Sequence, residues 1–334
     1  MTAKASVLIT GYGGFVGAAV ARRLLAEGYH VRGIARRSYP RLAADGVQAT
    51  VGDVTDPDHC DRAVRGCDAV IHTAAIAGIG VRRRPFEVSN VLATANIVDA
   101  AHSRGVSAFV YCSSPSVIFD GRPHRNADES LPYPTTHLNP YSATKAEGER
   151  LALAAASSEF RVCSLRPHLV WGHGDQHLIP RLIARRRCNR LRIIGGGDNV
   201  IDTVHIDTAA AAHVLAVRRL LGGDANISGR AFFITDSQPI GCWEWINMLL
   251  AAAGEPPVVR KVPLRTAHAI GRALELIYRA AGSDAEPPMT RFLALQLGID
   301  HYYNVSAARN SLGLAPEVDR VAELSAMQDW LRKF

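Results

Sequence analysis

Tyr141 and Lys145 bracket the run Tyr141-Ser142-Ala143-Thr144-Lys145, a spacing that puts both side chains on one face of a helix. A phenol ordinarily titrates near 10, and an ammonium beside it favours the phenolate, so the pair can exchange a proton near neutral pH. Ser114 closes Tyr111-Cys112-Ser113-Ser114 and offers a hydroxyl that can polarise a carbonyl and share its developing charge. An acid or base and a carbonyl-polarising donor are what a protein contributes to hydride transfer between a carbinol and a nicotinamide ring, the hydride itself belonging to the cofactor. Lys145 is also placed to hold the nicotinamide ribose.

The binding counterpart lies at the start of the chain. Thr10-Gly11-Tyr12-Gly13-Gly14-Phe15-Val16-Gly17 follows directly on the apolar run Ser6-Val7-Leu8-Ile9. Glycines at Gly11, Gly13, Gly14 and Gly17 let the backbone leave a strand tightly and approach a pyrophosphate that rests on the next helix, opened by Phe15 and Val16. An NAD site places an acidic residue about 20 residues past the glycines, where it holds the ribose 2′-hydroxyl. Here the second strand ends in Ala35-Arg36-Arg37. Guanidinium groups suit a 2′-phosphate in charge and geometry, so NADP(H) is expected in preference to NAD(H).

Short β-branched runs alternate with amphipathic segments through the first half: Val7 to Thr10, Val31 to Ala35, Ala69 to His72, Ala108 to Ser113 and Val162 to Arg166. The alternation predicts an α/β fold, a Rossmann-type doubly wound parallel sheet with ligands at the carboxyl ends of its strands. In a chain of 334 residues, a second and smaller core is expected. Residues 1–167 are assigned to the nucleotide-binding domain, with a segment near 200–236 returning to it through Phe232 to Thr235. The mainly helical remainder, 168–334, is assigned to substrate binding. The stretch Leu264 to Ala281 reads as an amphipathic helix with Ala267, Ile270, Gly271, Leu274, Ile277, Tyr278 and Ala281 on one face. That face packs on the core, covers an apolar substrate or makes peripheral contact with a membrane.

No run is long and apolar enough for a membrane span or signal peptide, so the protein is expected in the cytoplasm. The six cysteines show no C-x-x-C pair and no metal-ligand spacing, which predicts buried thiols and no metal site. A formal charge of +7 comes largely from Arg82-Arg83-Arg84 and the arginines between Arg181 and Arg192. These clusters lack interleaved aromatics and a binding motif, which argues against nucleic acid and for anionic cofactors, substrates or surfaces.

With these residues in place, the chain resembles the extended short-chain dehydrogenase/reductases, and within them the 3β-hydroxysteroid dehydrogenase branch. The likeness runs through the glycine turn, Gly52-Asp53-Val54, His72-Thr73-Ala74-Ala75, Asn90-Val91-Leu92-Ala93-Thr94, Tyr111 to Ser114, Tyr141 to Lys145 and Leu165-Arg166-Pro167. Ala93 stands where that family usually has glycine. The resemblance implies Asp53 and Val54 at the adenine, His72, Ala74, Ala75 and Pro167 bordering the cofactor, and Asn90 supporting the catalytic helix. It also implies a homodimer paired through the helices of Asn90 and Tyr141.

Ser113 to Gly121 and Asp128 to Tyr133 resemble the sterol-4α-carboxylate 3-dehydrogenases. Leu165 to Gly172, Gly174-Asp175-Gln176, Val204 to Asp207 and Glu286 to Leu293 resemble the bacterial 2-alkyl-3-oxoalkanoate reductases. Both readings imply a lipid substrate, sterol or long-chain oxo or hydroxy acid, because a 4-carboxysterol with a 3-alcohol is itself a 2-alkyl-3-hydroxy acid around the reacting carbons. His168, Trp171, Arg181 and Arg185 are the substrate candidates, the basic ones for its carboxylate. Two competing functions share these motifs. A sugar-nucleotide epimerase or dehydratase would keep and reuse NAD and need a more polar pocket than the apolar C-terminal helices suggest. A sensor or scaffold that binds NADP(H) without turnover would not need Ser114, Tyr141 and Lys145 together.

Overall fold

The computed structural model describes residues 4–316 and 318–334. Seven parallel strands form the main sheet: β1 (Ser6–Thr10), β2 (His30–Ala35), β3 (Gln48–Val51), β4 (Ala69–His72), β5 (Ala108–Cys112), β6 (Arg161–Pro167) and β7 (Arg230–Ile234). Their spatial order is β7-β6-β5-β4-β1-β2-β3, which reverses direction between β1 and β4 and opens a crevice at their carboxyl ends. Val7 and Ile9 face one buried layer and Leu8 the other, so β1 reads as a continuous apolar run rather than an alternating one. Gln48 to Val51 form an edge strand exposed throughout, and at four residues with no buried face this strand is absent from the sequence reading.

One face of the sheet is covered by α1 (Phe15–Ala26) and the other by α2 (Ala93–Ser103) and α3 (Pro140–Ala154). In α1 the buried residues Gly17, Val20, Ala21 and Leu24 recur at helical spacing. Asn139 caps α3, its Oδ1 accepting from the Ser142 N–H at 2.7 Å. Pro140, at the first helical position, loses no hydrogen bond there and fixes φ. This start places Tyr141 in the first turn of α3, at the crevice.

Beyond β6 the chain forms α4 (Leu178–Arg187), returns to the sheet through α5 (Ile206–Leu221) and β7, and continues into α6 (Cys242–Ala252), α7 (Leu264–Ala280) and α8 (Arg291–Gln296). A second core gathers Trp171, Ile179, Ile183, Trp243, Trp245 and Leu249. A small sheet joins it to the crevice: His301–Tyr303 pairs in parallel with His124–Ala127 and touches Val200–Ile201.

Three expectations are corrected. Trp171 is wholly buried in the second core, edge-on to His205 at 4.9 Å between ring centroids, and has no surface for a substrate. Of the cysteines, Cys188 is exposed and Cys112 half-buried; the other four are buried. In α7 the core-facing residues are Ala267, Gly271 and Glu275, while Ile270 and Ile277 point outward. The cause is Glu275, which takes both the backbone N–H and the Nε of Arg291, at 2.7 and 2.8 Å. Gly271 makes the close approach possible, since a Cβ there would lie 2.5 Å from the Thr290 carbonyl carbon.

A buried ion pair fastens α3 to the sheet. Arg166 on β6 donates through Nη2 to Glu149 Oε1 at 2.7 Å, both side chains essentially without solvent contact. Tyr133 and Ser164 donate to the same carboxylate at 2.6 and 2.7 Å. Burial alone would raise the Glu149 carboxyl, yet the Arg166 charge and these donors hold it below its ordinary value. Glu149→Ala leaves a guanidinium buried without its counter-ion and should lower stability by about 3–5 kcal/mol, measurable as a shift in the urea midpoint at unchanged slope.

Candidate active site

The groove at the carboxyl ends of β1, β2 and β4 has a volume of about 800 Å³ and is lined by Gly11, Gly14, Arg36, Arg37, Asp53, Val54, Ala74 and Ala75, all named from sequence. It is also lined by Ile34, Tyr39, Gly52, Thr55, Thr73, Ile76, Val88, Ser89 and Ala93, which sequence reasoning missed. Gly11 has φ +67°, and a Cβ on it would fall 2.9 Å from Ala74 Cα, so only glycine lets strand and crevice close this far. No side chain caps the first turn of α1, leaving its backbone N–H groups to the groove. These features fit a dinucleotide: anion-binding N–H groups at the glycine turn, Asp53 and Val54 at one end and two arginines beside them.

Several predicted cofactor residues sit elsewhere. Gly17 lies behind the turn, where a Cβ would meet Gly11 O at 2.4 Å; its role is to let α1 pack on the turn. Val16 packs on the main core, and Pro167 is buried as the last residue of β6. Gly13 and Phe15 border an adjoining cavity of about 1260 Å³ that shares Gly14, Arg37 and Tyr39 with the groove. The Tyr39 ring occupies the space a side chain at position 13 would need, and its hydroxyl accepts from Arg37 Nε at 3.0 Å.

His72 lies beneath the groove, almost wholly buried. Its Nδ1 is 2.7 Å from Thr10 Oγ1 and its Nε2 3.1 Å from Thr94 Oγ1. Thr94 gives its own proton to Asn90 O at 2.7 Å, so Nε2 is the protonated nitrogen and Nδ1 accepts from Thr10. Burial lowers the imidazole to about 3 and keeps it neutral. Asn90 is buried in a π-helical turn, Glu87–Leu92, that runs into α2. Its Oδ1 accepts from Ile76 N at 2.8 Å, and its Nδ2 donates to Ile76 O at 3.0 Å and Thr144 Oγ1 at 3.2 Å. It thereby holds the wall of the groove against α3; insertion of an extra residue into a helical turn is what brings such a side chain round.

Ser114, Tyr141 and Lys145 converge at the carboxyl end of β5. The Lys145 ammonium donates to Cys112 O at 2.6 Å and stands 4.0 Å over the Tyr111 ring. Burial lowers Lys145 to about 8, opposed by Cys112 and Glu149. Burial also pushes Tyr141 up to about 12, while hydrogen bonding with the Ser114 hydroxyl draws it down. The Lys145 ammonium is hydrogen-bonded to the Cys112 carbonyl, and burial, the largest influence on the Tyr141 phenol, favours its protonated form. A protonated phenol beside a serine hydroxyl is arranged to donate to a carbonyl oxygen.

The remaining substrate candidates are engaged by protein groups. His168 is buried, its Nε2 2.8 Å from His301 Nδ1. Arg181 pairs with Glu286 at 2.6 Å, and Arg185 donates to Pro288 O at 2.9 Å. Glu286 Oε1 also accepts from Ile79 N at 2.9 Å, and Arg82 pairs with Asp284 at 2.9 Å. These contacts clasp the loop after β4 to the segment between α7 and α8.

A family model described as 3-beta hydroxysteroid dehydrogenase/isomerase matches residues 8–263. The chain belongs to that family. As a member it is an oxidoreductase acting on an alcohol or ketone, of the extended short-chain dehydrogenase/reductase type, with a groove for NAD(P). It is 40% identical to a 2-alkyl-3-oxoalkanoate reductase of Shewanella oneidensis, over 94% of this chain and 83% of that protein. It is 41% identical to a 2-alkyl-3-oxoalkanoate reductase of Stenotrophomonas maltophilia, over 93% and 95%. UDP-glucuronic acid 4-epimerase from Bacillus cereus, solved with NAD, superposes with a TM-score of 0.73 over 98% of this chain and 99% of that one, at 21% identity, which is a likeness of fold.

In this family member Lys145 carries its charge below about pH 8 and loses it above. Ketone reduction should accordingly hold steady up to pH 8 and fall by up to about tenfold per unit beyond it. Lys145→Arg, whose charge persists past pH 12, should remove that alkaline limb, as read from kcat/KM profiles; a limb that stays near pH 8 would belong to another group.

Proposed function

We propose that this protein reduces the 3-oxo group of a long-chain 2-alkyl-3-oxoalkanoate with NADPH. The observation that carries the reading is the similarity, along nearly the whole chain, to two proteins named for that reaction. The Tyr141 phenol, which burial keeps protonated, supports it as the form needed for reduction. In the proposed step the ketone oxygen accepts hydrogen bonds from Ser114 and Tyr141. The bound cofactor supplies the hydride to C3. As negative charge grows on oxygen, Ser114 shares it and the Tyr141 proton moves to it, giving the 3-hydroxy acid. Lys145 balances the charge left on Tyr141 and holds the cofactor ribose. Removing the ketone also protects the acid, since a β-oxo acid loses carbon dioxide once its carboxyl proton reaches the ketone.

The preference for NADPH is carried by Arg36 and Arg37, exposed at the end of β2 and lining the groove. The Arg37 guanidinium lies 5.1 Å from the Tyr39 ring centroid, a stacking that orders it beside the groove and supports a role in binding a 2′-phosphate. Oxidation of a 4-carboxysterol is the second reading, favoured by the Ser113 to Gly121 and Asp128 to Tyr133 stretches. We further propose a homodimer through α2 and α3, a surface on which Leu92 is 47% exposed; sedimentation equilibrium giving a monomer would reject it.

The deciding assay follows nicotinamide absorbance with purified protein. The expected result is oxidation of NADPH by a 2-alkyl-3-oxo acid, one equivalent per ketone; reduction of NAD(P)+ by a 4-carboxysterol with release of a 3-ketosterol would replace the reading by the sterol one. Tyr141→Phe is expected to lower kcat at least about a thousandfold with cofactor affinity nearly intact, and full activity would sink the mechanism. Replacing Arg36 and Arg37 by alanine should raise the KM for NADPH about tenfold or more and leave that for NADH almost unchanged. An equal effect on both would mean the arginines do not read the 2′-phosphate.

A further inference from the structure

The helix α7, Leu264–Ala280, presents to solvent the kind of side chains that helices ordinarily bury. Ile270 is 47% exposed, Leu276 56% and Ile277 59%. At 3.6 residues per turn these three fall within roughly a third of the circumference, on the side away from Ala267 and Gly271. Arg265, Arg272 and Arg279 recur every seventh residue and are all exposed, so they form a line along one border of the apolar stripe. The helix contains a single carboxylate, Glu275, and it is turned inward onto Arg291 at 2.8 Å. The outer surface of α7 is therefore apolar and cationic with no acidic side chain on it.

We propose that this face of α7 docks the protein on the surface of an anionic phospholipid bilayer. The helix is about 25 Å long and the stripe from Ile270 to Ile277 occupies about 10 Å of it; a helix lying flat can sink such a face about 5–10 Å into the headgroup boundary while flanking arginines remain among the phosphates. Charge decides between occupants. Two copies of α7 packed on each other would bring two arginine lines together with no exposed carboxylate on either helix to answer them, whereas a layer of lipid phosphates answers all three. The position is consistent with access to a lipid. Residues just beyond the carboxyl end of α7 take the Arg82 side chain, which donates to Gly282 O at 3.2 Å, and Arg82 belongs to the loop that follows the groove wall Ala74 to Ile76. A docked α7 would thus set that loop next to the bilayer.

The test is co-sedimentation of the full chain with vesicles, which requires no substrate and does not depend on which acid is reduced. With vesicles of phosphatidylcholine containing about one-third phosphatidylglycerol, the protein should pellet at about 0.1 M salt and be released towards 1 M, where the screening length shrinks to about 3 Å. Each arginine near such a surface strengthens binding about fivefold, so Arg265→Gln, Arg272→Gln and Arg279→Gln together should weaken it roughly a hundredfold. Ile270→Ser, Leu276→Ser and Ile277→Ser together should abolish it, with the thermal midpoint and the reduction of a short soluble ketone unchanged, because all six side chains are exposed. Pelleting by pure phosphatidylcholine to the same extent, or binding indifferent to both sets of substitutions, would overturn the proposal. A change in oligomeric state in the serine variant, without vesicle binding by the unaltered protein, would assign the face to a second copy of the chain instead.

Discussion

The Glu149–Arg166 pair is the joint on which the geometry of the site depends. Tyr141, Lys145 and Glu149 lie on successive turns of one helix, so fixing Glu149 against β6 fixes the rotation and height of the other two over the end of β5. Three side chains, Arg166, Tyr133 and Ser164, donate to the carboxylate, and the guanidinium lies over the rings of Tyr133 and Phe233 at 5.6 and 5.4 Å. A buried pair of this kind adds little net stability over a well-packed apolar pair of the same shape. What it supplies is a single seating for the helix, which the ammonium of Lys145 then uses to reach the Cys112 carbonyl.

That reach explains how the site divides its protons. Burial is the largest influence on both groups. Tyr141 is held as a phenol and Lys145 titrates near 8, so over the neutral range one keeps a transferable proton and the other keeps most of its positive charge. The neutral His72 below them performs a different task. By accepting from Thr10 and donating to Thr94 it links β1 to α2 through a closed chain of hydrogen bonds, which fills the space under the groove without introducing a charge.

The parts of this arrangement legible in the sequence are those encoded by neighbours in the chain. The glycine turn, the apolar strands and the Tyr141–Lys145 spacing are local, and each is found at the crevice. Long-range packing settled the rest. Nothing near His168 announces His301, and nothing near Trp171 announces Trp245, so both were read as substrate groups when they are buried between elements. Arg181 and Arg185 were sound choices by charge, yet Glu286 and the Pro288 carbonyl, more than a hundred residues away, had already engaged them. The orientation of α7 turned on Glu275 finding Arg291, a pairing that overrode the apolar pattern of the helix itself. Tyr39 carries a weak local signal as an aromatic two residues past the arginine pair that follows β2, and the π-helical turn around Asn90 carries none.

The clasp between the loop after β4 and the segment that follows α7 is held in part by charge. Arg181–Glu286 and Arg82–Asp284 are partly exposed pairs, and the Glu286 bond to Ile79 N lies at the same seam. Exposed ion pairs of this type are worth about 0–1 kcal/mol each and weaken as salt screens them. The hold of this seam is therefore sensitive to ionic strength in a way that the apolar core beside it is not.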